Sequence, residues 1–423
     1  MGRALGANAL LRAKFESTYG TPPGSNWAQL PFVSGTIGEE GELIESNLVG
    51  QGRDPFDPTA GALNNTGDVV VPADVRNTGY WLKLLFGAPT TSNYAAATGS
   101  ITFSAQPAVD STITINGTAF TYKASGATGN QINIGANVAA TVTATATALN
   151  ASVVSGVATA TYAADGTNTS KLNVVYDTLG LAGNAFTLAA SAGSNGTVSA
   201  ATLTRGTVRH VFASGAASLP SMSAEVVHPE LANPYFVHYG IAGNTLRIAQ
   251  SRTGLLNMTL GLIAQGEADG AAASVAGTPS VLATDRFAQA VGEISLDGSV
   301  LGNVVSAEFS FSNNLNAVEV IRSDRRIAGV DPGTASAGGS MTMLFQDQTL
   351  LDAATAGTPV SVTRSWARDQ HSLSIVTPRL FLPKFKRQIQ GPRGIQVSPN
   401  VQASKPSGAA MVTATLINDV ASY

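Results

Sequence analysis

The sequence predicts a mainly β protein in which two similar β units share one chain and a compositionally distinct module is inserted into the first. Three observations predict it. Short runs of β-branched residues bounded by Gly, Asn, Pro and Ser recur throughout, as in Gly67-Asp68-Val69-Val70-Val71-Pro72, Leu246-Arg247-Ile248 and Val304 to Phe311. The same order of elements occurs twice. Between the halves of its first occurrence, from about Thr98 to Thr207, the chain is dominated by Thr, Ala, Gly, Ser and Asn.

Residues 1–26 read as an N-terminal arm, followed by the first unit at 27–97 and 208–268. A polar loop from Gly52 to Thr66 leads into a strand at Asp68 to Val71. A helix follows at Asp74 to Phe86, where Val75, Trp81, Leu82, Leu85 and Phe86 gather on one side and Gly87 is the stop. After a linker at 269–284, the second unit spans 285–423 and repeats the order. Its polar loop runs from Arg322 to Gly339, its strand from Ser340 to Phe345 and its helix from Gln348 to Ala356, ended by Gly357. Ala224 to Ile248 is then aligned with Leu373 to Val397, and the closing strand from Gly254 with that from Gly408.

The insertion at 98–207 begins with a hairpin in which Ile113 and Ile115 alternate with Thr, turn at Asn116-Gly117 and return through Phe120 and Tyr122. A Thr-rich helix is expected at Asn137 to Asn150, with strands at Lys171 to Tyr176 and Ala185 to Leu188. The competing reading is a disordered Thr/Ala/Ser linker. Alternating Ile, Val, Phe and Tyr favour a folded module.

Composition narrows the function. Of 423 residues only 12% are charged, so Ser, Thr, Asn, Gly and Ala must cover much of the surface, which suits packing against copies of the same chain. The absence of Cys removes disulfides, thiolate metal sites and cysteine nucleophiles. A formal net charge of −3 lacks the basic footprint of a protein that grips nucleic acid. No secretory signal and no membrane-length apolar run is apparent, so synthesis in a cytoplasm is expected.

No constellation suggests catalysis. His210, His228, His238 and His371 are scattered without a HExxH motif, no Gly-rich run ends in Gly-Lys-Ser/Thr, and no GxSxG elbow occurs. Trp27, Trp81 and Trp366 read as core anchors. Lys384, Lys386 and Arg387, flanked by Phe381 and Phe385, form a basic cluster that reads as a solvated face or a contact between copies. An enzyme and a cofactor are therefore not expected.

The opening Arg12 to Pro31 (RAKFESTYGTPPGSNWAQLP), the helix end Tyr80 to Pro89 (YWLKLLFGAP) and the strand pair around Tyr235 to Ile248 (YFVHYGIAGNTLRI) together resemble the major tail tube proteins of siphophages. The resemblance implies two tail-tube-like β-sandwich domains, each with a flanking short helix. The insertion is similar to a small accessory module of phage virion proteins, α+β or Ig-like, and is expected to face outward. Copies would join their sheets into a ring whose inner barrel lines a DNA channel. Two sandwiches per chain imply trimeric, pseudo-hexameric rings, stacked into a tube, with both units leaving strand borders open for neighbouring copies. The implied partners are the tape measure protein within the channel and the tail terminator and distal tail (tip) proteins at its ends, with viral DNA passing without specific binding and no membrane involved. The expected setting is the virion tail, assembled in the host cytoplasm.

A second contact is needed to stack rings. The long polar loops are the candidates, with Arg53, Asp54 and Asp57 in one and Arg322, Asp324, Arg325, Arg326 and Asp331 in the other. Glu308 is a candidate wall residue. Two other readings compete: a receptor-binding or adhesin-like virion protein using the Thr-rich insertion, and a carbohydrate-active β enzyme, for which no paired-carboxylate spacing is apparent.

Overall fold

A computed structural model describes residues 3–50, 52–346, 348–389 and 391–423. The fold is mainly β, and the chain divides into two compact units, one comprising Met1–Thr90, Val211–Leu416 and Tyr423, the other Thr91–His210 and Ile417–Ser422.

The first unit lays down β1 (Leu10–Phe15), β2 (Ala28–Leu30), β3 (Gly38–Ile44), β4 (Thr59–Pro72), helix α1 (Thr78–Phe86), β5 (Met222–Val227), β6 (Tyr235–Gln250), β7 (Asn257–Ala264) and β8 (Gly266–Ala271). It continues with β9 (Gly292–Leu296), β10 (Ser299–Val300), β11 (Val304–Ser312), β12 (Ser336–Leu344), helix α2 (Thr349–Ala356), β13 (Val360–Arg368), β14 (His371–Phe381), β15 (Gln396–Val397) and β16 (Asn400–Ala403).

The pairing of these strands is itself duplicated. In the first series β1 pairs β2 and β5, β5 pairs β6, β6 pairs β7, β7 pairs β4 and β4 pairs β3. In the second, β9 pairs β10 and β13, β13 pairs β14, β14 pairs β16, β16 pairs β12 and β12 pairs β11. Every one of these pairs is antiparallel.

This graph corrects the sequence alignment of the repeat. The β5–β6 hairpin corresponds to β13–β14, so Met222–Gln250 matches the stretch from Val360, not the one from Leu373. The glycine turns misled because the first hairpin closes through a loop at 228–234 whereas the second closes tightly at Asp369-Gln370, with Asp369 at φ +52°.

Three other expectations change. The segment read as an arm contains β1, in which Leu11 and Ala13 are buried, and Arg12 is tolerated there because it meets the buried Glu225 at 2.8 Å. The polar loop expected from Gly52 to Thr66 gives way to strand at Thr59, since the β3–β4 ladder bonds backbone whatever the side chains. The expected linker adds Ser280–Val281 as a short parallel strand beside β2.

Strand alternation places one face of the sheet on a core. β7 alternates half-buried and buried residues throughout. Val69, Val71, Leu246, Ile248, Met258 and Leu260 pack with Trp81, Leu82 and Leu85 of α1, and the same cluster continues through Phe309, Met341 and Trp366. All three tryptophans are buried.

The second unit is a folded module. Asn116 (φ +44°) and Gly117 (φ +81°) close the hairpin of Thr112–Ile115 and Thr118–Lys123, the left-handed pair that an Asn-Gly turn supplies. Asn137 caps the helix Val138–Asn150 by accepting from the Ala140 amide. Thr141, Thr143, Thr145 and Thr147 each return their hydroxyl to the carbonyl four residues back, which explains how so many Thr fit in one helix. Its core gathers Ile113, Ile115, Phe120, Tyr122, Val142, Leu149, Tyr162 and Leu172. The strand expected at Ala185 to Leu188 is a short 3₁₀ turn, Ala182–Ala185, followed by a strand at Leu188–Ala190.

Candidate assembly surface

In the first unit the two series of strands are joined. Thr245–Gln250 of β6 pair antiparallel with Ala307–Ser312 of β11, so the sheet runs β3, β4, β7, β6, β11, β12 and then β15 with β16. One strand border expected to await another copy is therefore sealed within the chain. At the far end β3 pairs only with β4 among the described residues.

The core covers one face of this sheet and leaves the other open. Register puts Gly38, Glu40, Asn64, Thr66 and Asp68 of β3 and β4 on the open face. Thr245, Arg247, Glu308, Ser310, Ser340 and Thr342 continue it across the joint. Thr, Ser, Asn and Gly dominate it, and among these residues Glu40, Asp68 and Glu308 outnumber the cation Arg247. Glu308, singled out from sequence, is exposed on this face.

The loop candidates behave differently from one another. Arg53, Asp54 and Asp57 are exposed on the 45–58 connection between β3 and β4, and Asp331 is exposed on the 313–335 connection between β11 and β12. Arg322 and Asp324 form a two-toothed ion pair at 2.9 and 2.7 Å, which holds the Asp324 carboxyl down at about 2. The Arg325 carbonyl accepts the Leu63 amide, and its guanidinium donates to the Gly61 carbonyl.

Arg326 is committed to its own chain. It donates to both Glu39 oxygens at 2.8 to 3.0 Å and to the Glu267 carbonyl at 2.8 Å, and lies over the Tyr239 ring. Charge reversal there would place a carboxylate against Glu39 and test folding before it tested stacking.

Sequence reasoning missed β3 altogether. Its GEEGELI is rich in Gly and Glu, both depleted in strands, so no β signal stood out. The available signal was charge on a short strand, the usual mark of an edge.

Beside this edge His238 is buried. Its Nδ1 lies 3.2 Å from the Asn65 amide nitrogen and 3.7 Å from Glu267. Burial pushes its pKa below the ordinary value, opposed by Glu267 and Glu39. In the second unit His210 is lowered for the same reason, with its two ring nitrogens 2.8 Å from the Thr91 hydroxyl and the Val420 carbonyl. The unfolded chain therefore takes up these protons more readily than the folded one. Stability should be intact above pH about 6.5, the ordinary histidine value, and fall as pH drops through the folded values. Denaturant midpoints between pH 7.5 and 5 will check this, and His238→Gln with His210→Gln should flatten the slope.

Among the described residues no group of three or more His, Asp or Glu is placed to hold a metal ion. A protein-family model described as phage tail tube protein matches residues 6–207 and again 173–403. No curated protein matches the chain.

Proposed function

The chain belongs to the phage tail tube protein family, structural components of the virion tail, and from this we propose that it forms stacked rings whose open sheet face lines a channel for DNA ejection in a siphophage-type tail. The observation that carries this reading is the mostly polar face that runs from β3 through β4, β7 and β6 across the internal joint to β12, with Val70 and Ile263 as half-buried apolar exceptions. A monomer has no use for a broad sheet with one bare face and an open end, whereas a ring closes the end and gives the face a lumen.

The chemistry of the face suits transit. Phosphates bind where cations accumulate, and each neutralised phosphate holds the duplex in place. A wall of hydroxyls, amides and glycine with a slight excess of carboxylates repels the backbone gently and offers no grip. DNA then passes without specific binding.

Each chain brings two strand series already joined, so three chains supply six and close a trimeric, pseudo-hexameric ring. The tape measure protein would occupy the lumen, and terminator and distal tail proteins the ends. The inserted stretch 98–207 would serve as an accessory module that faces outward in the ring, because a module in the lumen would block it. Assembly in the host cytoplasm follows from that setting. Stacking would use the exposed charges of the 45–58 and 313–335 connections.

Negative-stain microscopy of the purified chain is expected to show rings or hollow tubes. Compact monomers or slender trimeric fibres would instead support a receptor-binding or adhesin-like virion protein.

A further inference from the structure

We propose that the segment Leu382–Ile389 of one copy adds as a strand to the open edge of β3 in the next copy, with Lys384 opposite Glu40, making a head-to-tail joint. The inference rests on the ring reading and specifies its contact.

The register comes from the internal joint. Met222 pairs Ile241 and Val360 pairs Leu380 at equivalent bulges of the two hairpins, so Ile241 and Leu380 are equivalent. Thr245–Gln250 follow Ile241 at the offsets at which Lys384–Ile389 follow Leu380, and Thr245–Gln250 are the residues that pair β11. On the receiving side, Gly67 pairs Leu262 and Gly339 pairs Val401 in equivalent ladders. A Cβ on Gly67 would lie 2.5 Å from the backbone of Thr36 and Ile37, and one on Gly339 would lie 1.9 Å from the Glu308 carbonyl, so Ile37 and Phe309 are equivalent. Ser312, which receives Thr245, then corresponds to Glu40.

Five features of the chain fit this transfer. The segment after β14 forms no strand in the single copy. Phe385, the equivalent of Leu246, packs against the core, whereas Lys384 and Lys386 are exposed. Those two lysines would share a sheet face with Glu40 and Glu42, whereas Glu39 is turned inward onto Arg326. Ile389, 78% exposed, would come opposite Gly35, beside a cavity of about 580 Å³ lined by Phe32, Val33, Ile37 and Val69. The outward Glu39 amide is meanwhile held by the Glu267 carboxylate at 3.0 Å, where the incoming Phe385 carbonyl would take over.

Edge strands often carry charge merely to repel one another. Here the acidic edge is matched by a basic segment on the same chain at the register that the duplication dictates, which makes copies attractive in one order and repulsive in the other.

The test exploits a chain with no cysteine. With Glu40→Cys and Lys384→Cys together, directly opposed side chains lie within disulfide reach, and oxidised assemblies should run on denaturing gels as covalent dimers and trimers. Either single variant should run as monomer. Glu40→Lys with Glu42→Lys, or Lys384→Glu with Lys386→Glu, should reduce tube formation at least tenfold, and all four changes in one chain should restore it. Hollow tubes that neither cross-link nor respond to charge reversal overturn this joint and leave the tube reading standing. A wild-type chain that never assembles overturns both.

Discussion

Gly339→Ala is expected to remove most of the folded protein. The added Cβ would lie 1.9 Å from the Glu308 carbonyl oxygen and 2.8 Å from its carbon, and both are backbone atoms of the paired strand β11 that no rotamer change can clear. Gly339 also sits at φ +132°, outside the range that L side chains readily adopt. Close backbone approach and strain together should cost more than about 4 kcal/mol, against a total stability of about 5–15 kcal/mol for a typical domain. Gly67→Ala meets the Ile37 backbone at 2.5 Å and should behave likewise. Gly302→Ala, with nothing within 4 Å, is the control and should stay within about 0.5 kcal/mol of wild type. Soluble yield and urea midpoint will measure all three. A Gly339→Ala chain within about 1 kcal/mol of wild type would show that the strands do not approach as described.

These glycines also mark what the sequence made legible and what it did not. Helix α2 was readable almost to the residue because Gly357 stops it, and the Asn116-Gly117 turn because few dipeptides accept two left-handed residues in succession. Strand β11 was readable from its apolar alternation, whereas β12 was read only from Ser340, because Ser336 to Gly339, which begin the strand, look like the end of the polar loop. The repeat was visible, but its register was not. Register is set by hydrogen bonds between distant segments, and a match of glycine turns cannot tell a hairpin from the crossover after it. Strand β1 was hidden because the ion pair that lets Arg12 enter a sheet comes from Glu225, far along the chain. The candidate surface was half legible for the same reason. The basic residues Lys384 and Lys386 stood out as a cluster, whereas the acidic edge gained its meaning only once the ladder showed it unpaired.

The joint between the two strand series gives the second large effect, because one buried side chain pins the end of its ladder. The Asn313 amide donates to the Leu85 carbonyl in the last turn of α1 at 2.9 Å and to the Gly243 carbonyl of β6 at 2.8 Å. Its own backbone amide reaches the Asn244 carbonyl at 2.8 Å. Helix ends leave carbonyls without partners, so Asn313 satisfies one of these while locking β6 to the end of β11. Asn313→Leu keeps the bulk and strands two buried acceptors, at about 1–3 kcal/mol each. Asn313→Asp should be worse at neutral pH, since a carboxylate offers no donor and faces two carbonyl oxygens. That repulsion raises the carboxyl pKa in the folded state. The aspartate variant should therefore recover stability as pH is lowered toward that value, when a proton restores one donor, whereas the leucine variant should not. Urea midpoints of both variants at pH 5 and 7.5 separate the two behaviours, and equal slopes would mean that the amide makes neither bond. Loosening at this point is predicted to lower tube yield even where monomers stay folded, because the angle between the two halves of the sheet sets whether three copies close or spiral.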